Sequence, residues 1–409
     1  MEKVIGFKCF ECAREFRRDE VEYVCPACGG NLDVLYDYDE VGAQLTKARL
    51  AANRDFSMWR YRPLLAVADS SPVPPLAIGW TPLYNYPPLA AELSIKQLFI
   101  KDDGRNPTAS FKDRPSALAV VKATEARATI ITTASSGNAG SALAGMCASL
   151  GVRSVIFVPA SAPAAKVAQL VIYGAKVVLV EGTYDEAYDL CLAAAARFNW
   201  YQRSTGFNPY TREGKKTAAL EICEQLNWQV PDKVLVSVGD GNIISGLWKG
   251  FNDFHRLGFI DRLPQLIGVQ SASASAIVDA ANSDGVIRNG AAHTIAESIN
   301  VGQPRDGRAA VQAIRESGGC GVKVTDDEIL AAIARLAHAT GVFAEPAAAA
   351  SFAGLVHLCD RGGVAADERV LLVITGNGLK DIESARRAGS EPLRVRPDLD
   401  EFTELFARG

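Results

Sequence analysis

Two sets of residues in this chain have the types and spacing to do chemistry. One is the lysine of "NPTASFKDRP", Asn106 to Pro115, at the turn into a long apolar run. A helix N-terminus carries partial positive charge, so an ammonium there is disfavoured. Lys112 therefore either turns to water or serves as an amine that loses its proton easily, a nucleophile and a base. Lys122, at the end of the following "SALAVVKA", reads as an ordinary solvated residue. The other set is Cys9, Cys12, Cys25 and Cys28, two Cys-x2-Cys pairs separated by twelve residues. Two such knuckles offer four thiolates to one tetrahedral ion, a closed zinc site with a structural and not a catalytic role. Gly29 and Gly30 supply the turn behind the second knuckle. The segment is too short for a core of its own, so the metal is expected to supply its folding energy. Loss of the metal, or disulfides in an oxidising compartment, are the bland alternatives.

Three glycine-bearing polar turns form a further group: Ser135-Ser136-Gly137-Asn138, Gly239-Asp240-Gly241-Asn242 and Thr375-Gly376-Asn377-Gly378. Each follows a β-branched run: "TIITTA", "KVLVSV" and "RVLLVI". The second feeds a helix, where free N–H groups and close backbone approach make a phosphate cradle. Asp240 is awkward beside an anion and is expected to point away. Neither Gly-x-Gly-x-x-Gly after the first strand nor Gly-x4-Gly-Lys-Ser/Thr occurs, which argues against dinucleotide and nucleoside-triphosphate sites. Singly, these are ordinary turns.

The elements that must position them alternate. "TIITTA", "SVIFVP" and "KVVLVEG" read as buried strands, with helices over "NAGSALAGMCASLG" and "PAAKVAQLVIYGA" between them. "KVLVSVG", "QLIGVQS" and "RVLLVIT" repeat the pattern, with a helix over "TDDEILAAIARLAHATG". Strands without polar alternation, separated by helices, predict parallel sheets. Ligands then sit beyond the strands' carboxyl ends, where the three turns are. The fold class is α/β with two parallel-sheet domains and a small ribbon. Residues 1–40 are the ribbon-like segment, 120–205 the small domain, and 41–119 with 206–409 the large one. "PVPPLAIGWTPLYNYPPLA" reads as an extended connector.

Composition supports a folded chain: 48 % hydrophobic and 22 % charged over 409 residues. A net charge of -4 argues against nucleic acid. No apolar window approaches the roughly 18 residues of a membrane span, and the start carries no signal-peptide pattern. A cytoplasmic protein is expected. The other five of the nine cysteines are scattered, and no histidine falls in a motif.

A lysine before a helix, a phosphate cradle and a hydroxyl after a late strand together fit pyridoxal phosphate. Here the resemblance becomes specific. "NPTASFKDR", "SSGNAG", "VGDGNI", "EPAAAAS" and "TGNGLKD" resemble the threonine synthases, within the fold-type-II (tryptophan synthase β-like) pyridoxal-phosphate enzymes, over about Thr81 to Asp381. Some members also carry an N-terminal cysteine ribbon. The resemblance implies that Lys112 is the Schiff-base lysine and that Asn138 contacts the cofactor's 3-hydroxyl. It implies that Gly239, Asp240, Gly241 and Asn242 hold its phosphate and that Thr375 faces the pyridine nitrogen. The implied substrate is O-phospho-L-homoserine, a small phosphorylated amino acid, and a homodimer is the expected assembly. Where the family often has Asn-Pro-x-Arg before Glu-Gly, this chain reads "NPYTREGKKT", with Thr211 at the usual arginine and Arg212 after it. Arg212 and Lys216, with Ser135 and Ser136, are the candidate grip on the substrate phosphate; a solvated helix start is the alternative. Other pyridoxal-phosphate lyases or β-replacement enzymes, such as cysteate synthase and serine or threonine dehydratases, stay open at this point. So does a non-catalytic ribbon-bearing binding protein.

Overall fold

The computed structural model describes residues 3–407 apart from residue 163. Lys233–Ser237, Gln265–Ser271 and Arg369–Ile374 are buried almost throughout. Strands apolar on both faces need cover on both sides, which a parallel sheet with flanking helices supplies. They lie inside a six-stranded sheet in the order Gly321–Val324, Gln265–Ser271, Lys233–Ser237, Arg369–Ile374, Gln97–Asp102, Leu83–Asn85. Only the last pair is antiparallel. The Gln97–Asp102 strand escapes the sequence pattern because "QLFIKD" ends in charges, which the fold buries. Its register sets Asp102 beside Ile374, so the loop leading to Lys112 and the turn at Thr375 leave the sheet together.

Lys176–Val180, Arg153–Pro159, Ile130–Ala134 and the short Tyr201–Gln202 make a second, wholly parallel sheet. The expected helices are present as Asn138–Ser149 and Ala164–Ile172. A third sheet sets Val4–Cys9 between Glu15–Arg17 and Leu32–Tyr36, all antiparallel. Its inner face, with Phe7, Leu32, Val34 and Tyr36, merges with the core under the six-stranded sheet. The ribbon thus shares apolar burial with the main body and does not depend on metal alone. The proline-rich stretch is also more than a connector: it contains the Leu83–Asn85 strand and a helix, Pro87–Glu92.

Helix Tyr210–Gln225 packs against both Asp113–Glu125 and Asn242–Arg256. The Asp113–Glu125 helix runs across position 120, where the sequence suggested a domain boundary, and touches both the Asn138 and the Tyr210 helices. At its start a Cβ on Gly214 would stand 2.5 Å from the Arg114 carbonyl oxygen, so only glycine allows that approach. Lys122 is not a solvated end: it is buried, pairs with Glu125 at 2.6 Å and lies over the Tyr210 ring. Among the described residues no helix is long and apolar enough to cross a membrane.

Arg114 is fully buried inside this helix layer. Its Nε and Nη2 donate to Asp103 at 2.6 and 2.9 Å, and its Nη1 and Nη2 to Glu221 at 2.5 and 2.7 Å. Lys101 reaches Glu221 at 2.8 Å, and Thr81 donates to Asp103 at 2.6 Å. Two cations and two carboxylates, all without solvent exposure, cancel one another. Burial alone would push the Glu221 carboxyl up; Arg114 and Lys101 overcome it and hold it at about 2. Removing one partner strands the others, at a typical cost of about 3–5 kcal/mol. We therefore expect Arg114→Met to lower the unfolding free energy by about that much in urea denaturation. A loss below about 1 kcal/mol would show that the cluster contributes little.

Candidate active site

Lys112 is the N-cap of the Asp113–Glu125 helix. The loop before it is tightly held. Thr108 gives Asp113 its N–H at 2.7 Å and its hydroxyl as well. Ala109 takes a left-handed φ of 64°, which costs a non-glycine residue about 1 kcal/mol. Its carbonyl is pinned by the Asn377 N–H at 3.1 Å. Phe111 donates to the Thr375 carbonyl at 2.8 Å. The lysine is thus fixed against the third polar turn. Burial, then the Arg203 guanidinium, pulls its amine below the ordinary lysine range, while Asp240 and Glu345 oppose them.

The three turns do converge. Lys112, Asn138, Gly239, Asp240, Gly241, Asn242 and Thr375 line one recess, together with Lys215 and Glu345. Gly241 caps the Asn242–Arg256 helix at φ 92°. A Cβ there would meet the Asp306 carbonyl at 2.9 Å, so the cradle admits no other residue. Asp240 does not leave the recess: its carboxylate accepts from the Arg305 N–H at 3.1 Å. Asn138 donates to both oxygens of Glu345, at 2.9 and 3.0 Å. Lys215 is wholly buried beside the cradle, with Asn242 Oδ1 as its hydrogen-bond acceptor and no carboxylate partner among the described residues. A buried amine, free helix N–H groups and a glycine-only cradle are a donor set suited to a phosphate dianion. With Lys112 in the same recess, the residues fit pyridoxal phosphate.

The recess adjoins a cavity of about 680 Å³ whose lining includes Lys112, Ser135, Ser136, Tyr184, Arg203 and Thr205. Arg212 and Lys216, expected there, are not in it. Arg212 is buried on the far side of the Tyr210 helix, where it pairs with Asp306, donates to the Leu32 carbonyl at 3.0 Å and lies over Phe10. Lys216 is sealed between Glu213 and Asp253 at 2.7 and 2.8 Å. Helical spacing explains this: residues one and five places after Thr211 point elsewhere on the helix, and Thr211 itself is buried against Asn208 and Asn242. Arg203, Lys215 and Glu345 are the site residues that sequence reasoning missed. Glu345 stands in the quoted "EPAAAAS" without a role, Lys215 hides in a lysine pair, and Arg203 follows a strand of two residues.

The four cysteine sulfurs lie within 4.8 Å of one another. Cys9–Cys28 and Cys12–Cys25 are 3.5 and 3.7 Å apart. Tetrahedral thiolates at about 2.3 Å from zinc would be about 3.8 Å apart, so the cluster fits such an ion.

Comparison with known proteins agrees with this geometry. The fold is similar to threonine deaminase isoform 2 of Solanum lycopersicum, at a TM-score of 0.66 and 21% identity over 86% of this chain and 93% of that one. It is also similar to maize serine racemase, at 0.65 and 19% over 80% and 92%. The pyridoxal-phosphate dependent enzyme family matches residues 75–376, and the chain belongs to it. Its group within that family is the threonine synthases. It is 41% identical to the threonine synthase of Methanocaldococcus jannaschii and 40% to that of Methanosarcina acetivorans, in each case over 402 residues and 98% of both chains.

The lysine loop has a pH signature. Burial pushes the Asp113 carboxyl up from 3.8 to about 6, against its hydrogen bonds from Thr108. A raised carboxyl binds its proton more tightly in the folded state, so its contribution falls as pH rises from about 4 to 6 and is constant above. Asn, neutral throughout, removes that slope. Between pH 4 and 7 the wild type should lose about 2–3 kcal/mol relative to Asp113→Asn in urea denaturation. Parallel curves would place the Asp113 carboxyl at an ordinary value.

Proposed function

We propose that the protein converts O-phospho-L-homoserine and water into L-threonine and orthophosphate with pyridoxal phosphate. The observation that carries this is a desolvated lysine between two anion sites, the cradle recess and the larger cavity. Membership of the threonine synthases gives the reaction. Gly239, Gly241, Asn242 and Lys215 would hold the cofactor's phosphate, and Asn138 and Thr375 would face its ring. When bound, the cofactor supplies an electron sink for charge developing on the amino acid. Thr375 offers a hydroxyl, not a carboxylate, so the ring nitrogen gains no fixed proton and more of the work falls on the lysine. Lys112 Nζ, whose ammonium form burial disfavours, would take the protons from the α- and β-carbons. It would deliver protons to the γ-carbon, as the phosphate leaves, and back to the α-carbon, while water supplies the hydroxyl at the β-carbon and its remaining proton goes to the orthophosphate. Ser135 and Ser136, with the N-terminus of the Asn138–Ser149 helix, suit the substrate carboxylate. The helices around the recess exclude water while those protons move.

We further propose that Cys9, Cys12, Cys25 and Cys28 hold one zinc ion with no part in the chemistry. The freshly purified, reduced protein should carry one equivalent of zinc. Cys25→Ser should lose it and melt at a lower temperature. Unchanged metal content in that variant would end the assignment.

Purified protein given O-phospho-L-homoserine should release orthophosphate and threonine in equal amounts. Lys112→Ala should slow this by at least about 10²–10⁴-fold, the range for lost proton transfer. It should also fail to retain cofactor mass after borohydride treatment and denaturation. Wild-type rates in Lys112→Ala would move the role to another lysine.

A further inference from the structure

We propose that Arg203 is the guanidinium that holds the substrate's phosphoryl group, the task that sequence spacing offered to Arg212. This deepens the function proposed above and rests on it. Arg203 follows the Tyr201–Gln202 strand, and its N–H donates to the Thr132 carbonyl at 2.9 Å, which fixes the backbone. The side chain has no solvent exposure. Its Nε donates to Ser116 Oγ at 3.2 Å and its Nη1 to Thr205 Oγ1 at 3.2 Å, both neutral hydroxyls. Its Nη2 is buried and has no partner at all.

Buried guanidiniums elsewhere in this protein are neutralised. Arg114 has Asp103 and Glu221, Arg60 has Glu224, and Arg212 has Asp306. Among the described residues Arg203 has no carboxylate at ion-pair distance. A desolvated charge without a counter-ion is unfavourable unless a ligand supplies one. Asp240 acts on it from across the site, but that carboxylate is bound to the Arg305 N–H.

Position selects the anion. Arg203 lines the larger cavity with Ser135, Ser136 and Lys112, and it is absent from the recess that carries the cradle and Lys215. The cofactor phosphate is therefore served without it, and the substrate carboxylate has the serine turn. The phosphoryl group is the anion left over. A guanidinium fork grips two phosphate oxygens at once, where an ammonium acts as a point charge. Of the cavity's other cations, Lys166 pairs with Glu297 and Arg305 with Asp185, Lys112 is the proposed base, and Lys380, which donates to Gln169 and Ser141, is an ammonium without a fork.

The experiment uses the holoenzyme and three probes: O-phospho-L-homoserine turnover, inhibition by inorganic phosphate, and L-threonine binding followed by the cofactor's visible absorption. Arg203→Gln should raise KM for O-phospho-L-homoserine roughly 10–100-fold. Phosphate inhibition should weaken by a similar factor, with threonine binding unchanged. Arg203→Lys should fall between, and it reads the same ratio should the glutamine variant not fold. Equal weakening toward threonine and phosphate, or unchanged phosphate inhibition, would overturn the proposal. A wild type that does not turn over O-phospho-L-homoserine refutes the reaction instead. Calorimetric titration of inorganic phosphate into the holoenzyme then decides Arg203: binding lost in Arg203→Gln supports it, and binding retained or absent in the wild type overturns it.

Discussion

The site depends on one desolvated ion cluster. Arg114 stands two residues after Lys112 and bridges Asp103, at the end of the Gln97–Asp102 strand, to Glu221 on the Tyr210–Gln225 helix. It therefore fixes where the lysine helix starts, relative both to the six-stranded sheet and to the helix whose Lys215 reaches the cradle. Such a cluster tolerates little displacement, because each charge depends on its partners' geometry in a dry interior. The Gly214 contact sets the same helix pair close enough for Arg114 to reach Glu221. The "DR" after the lysine is thus a positioning device, and Lys112 inherits its precision.

Charge in the site itself is arranged the opposite way. Lys112, Lys215 and Arg203 are all desolvated, and none has a carboxylate partner among the described residues. Burial, then the Arg203 charge, holds Lys112 below the ordinary lysine range; burial, then Lys112 and Arg203, holds Lys215 well below it; and burial draws Arg203 down to about 10. Burial also pushes the nearby Asp240 and Glu345 carboxyls upward, against the pull of Lys112 on both. The interior of the fold is balanced in charge, while the site keeps cations in reserve. Anionic ligands would complete it, and burial with the Arg203 charge favours the free amine at Lys112 by discouraging its ammonium form.

The N-terminal ribbon takes part in that arrangement from outside. Asp306 accepts from Arg212, Asn31, Asn242 and Ser245, and so ties the ribbon to the first residue of the cradle helix. On the other side, the Tyr23 hydroxyl accepts from the Gln202 N–H at 3.2 Å, next to Arg203. The ribbon thus backs both the cradle and the guanidinium without lining either cavity. Its cysteine knuckles stand on a segment whose apolar face is already shared with the main core.

By itself the sequence determined the elements whose signal is local. Buried β-branched runs, the glycine turns after them, the cysteine spacing and the lysine before a helix were all legible, because each depends on residues close in the chain. Together they were enough to name the fold class and to set Lys112, Asn138, the Gly239–Asn242 turn and Thr375 apart, and the structure lines one recess with them. What only the tertiary structure decided is which charges are paired. Arg212, Lys216 and Arg203 are all cations at or near the start of the same helix, and no local pattern ranks them. The fold gives Arg212 to Asp306, 94 residues away in the chain, and Lys216 to Asp253, leaving Arg203 facing the cavity. Pairing of buried charge depends on which distant carboxylates packing brings within reach, and that information is not carried by spacing.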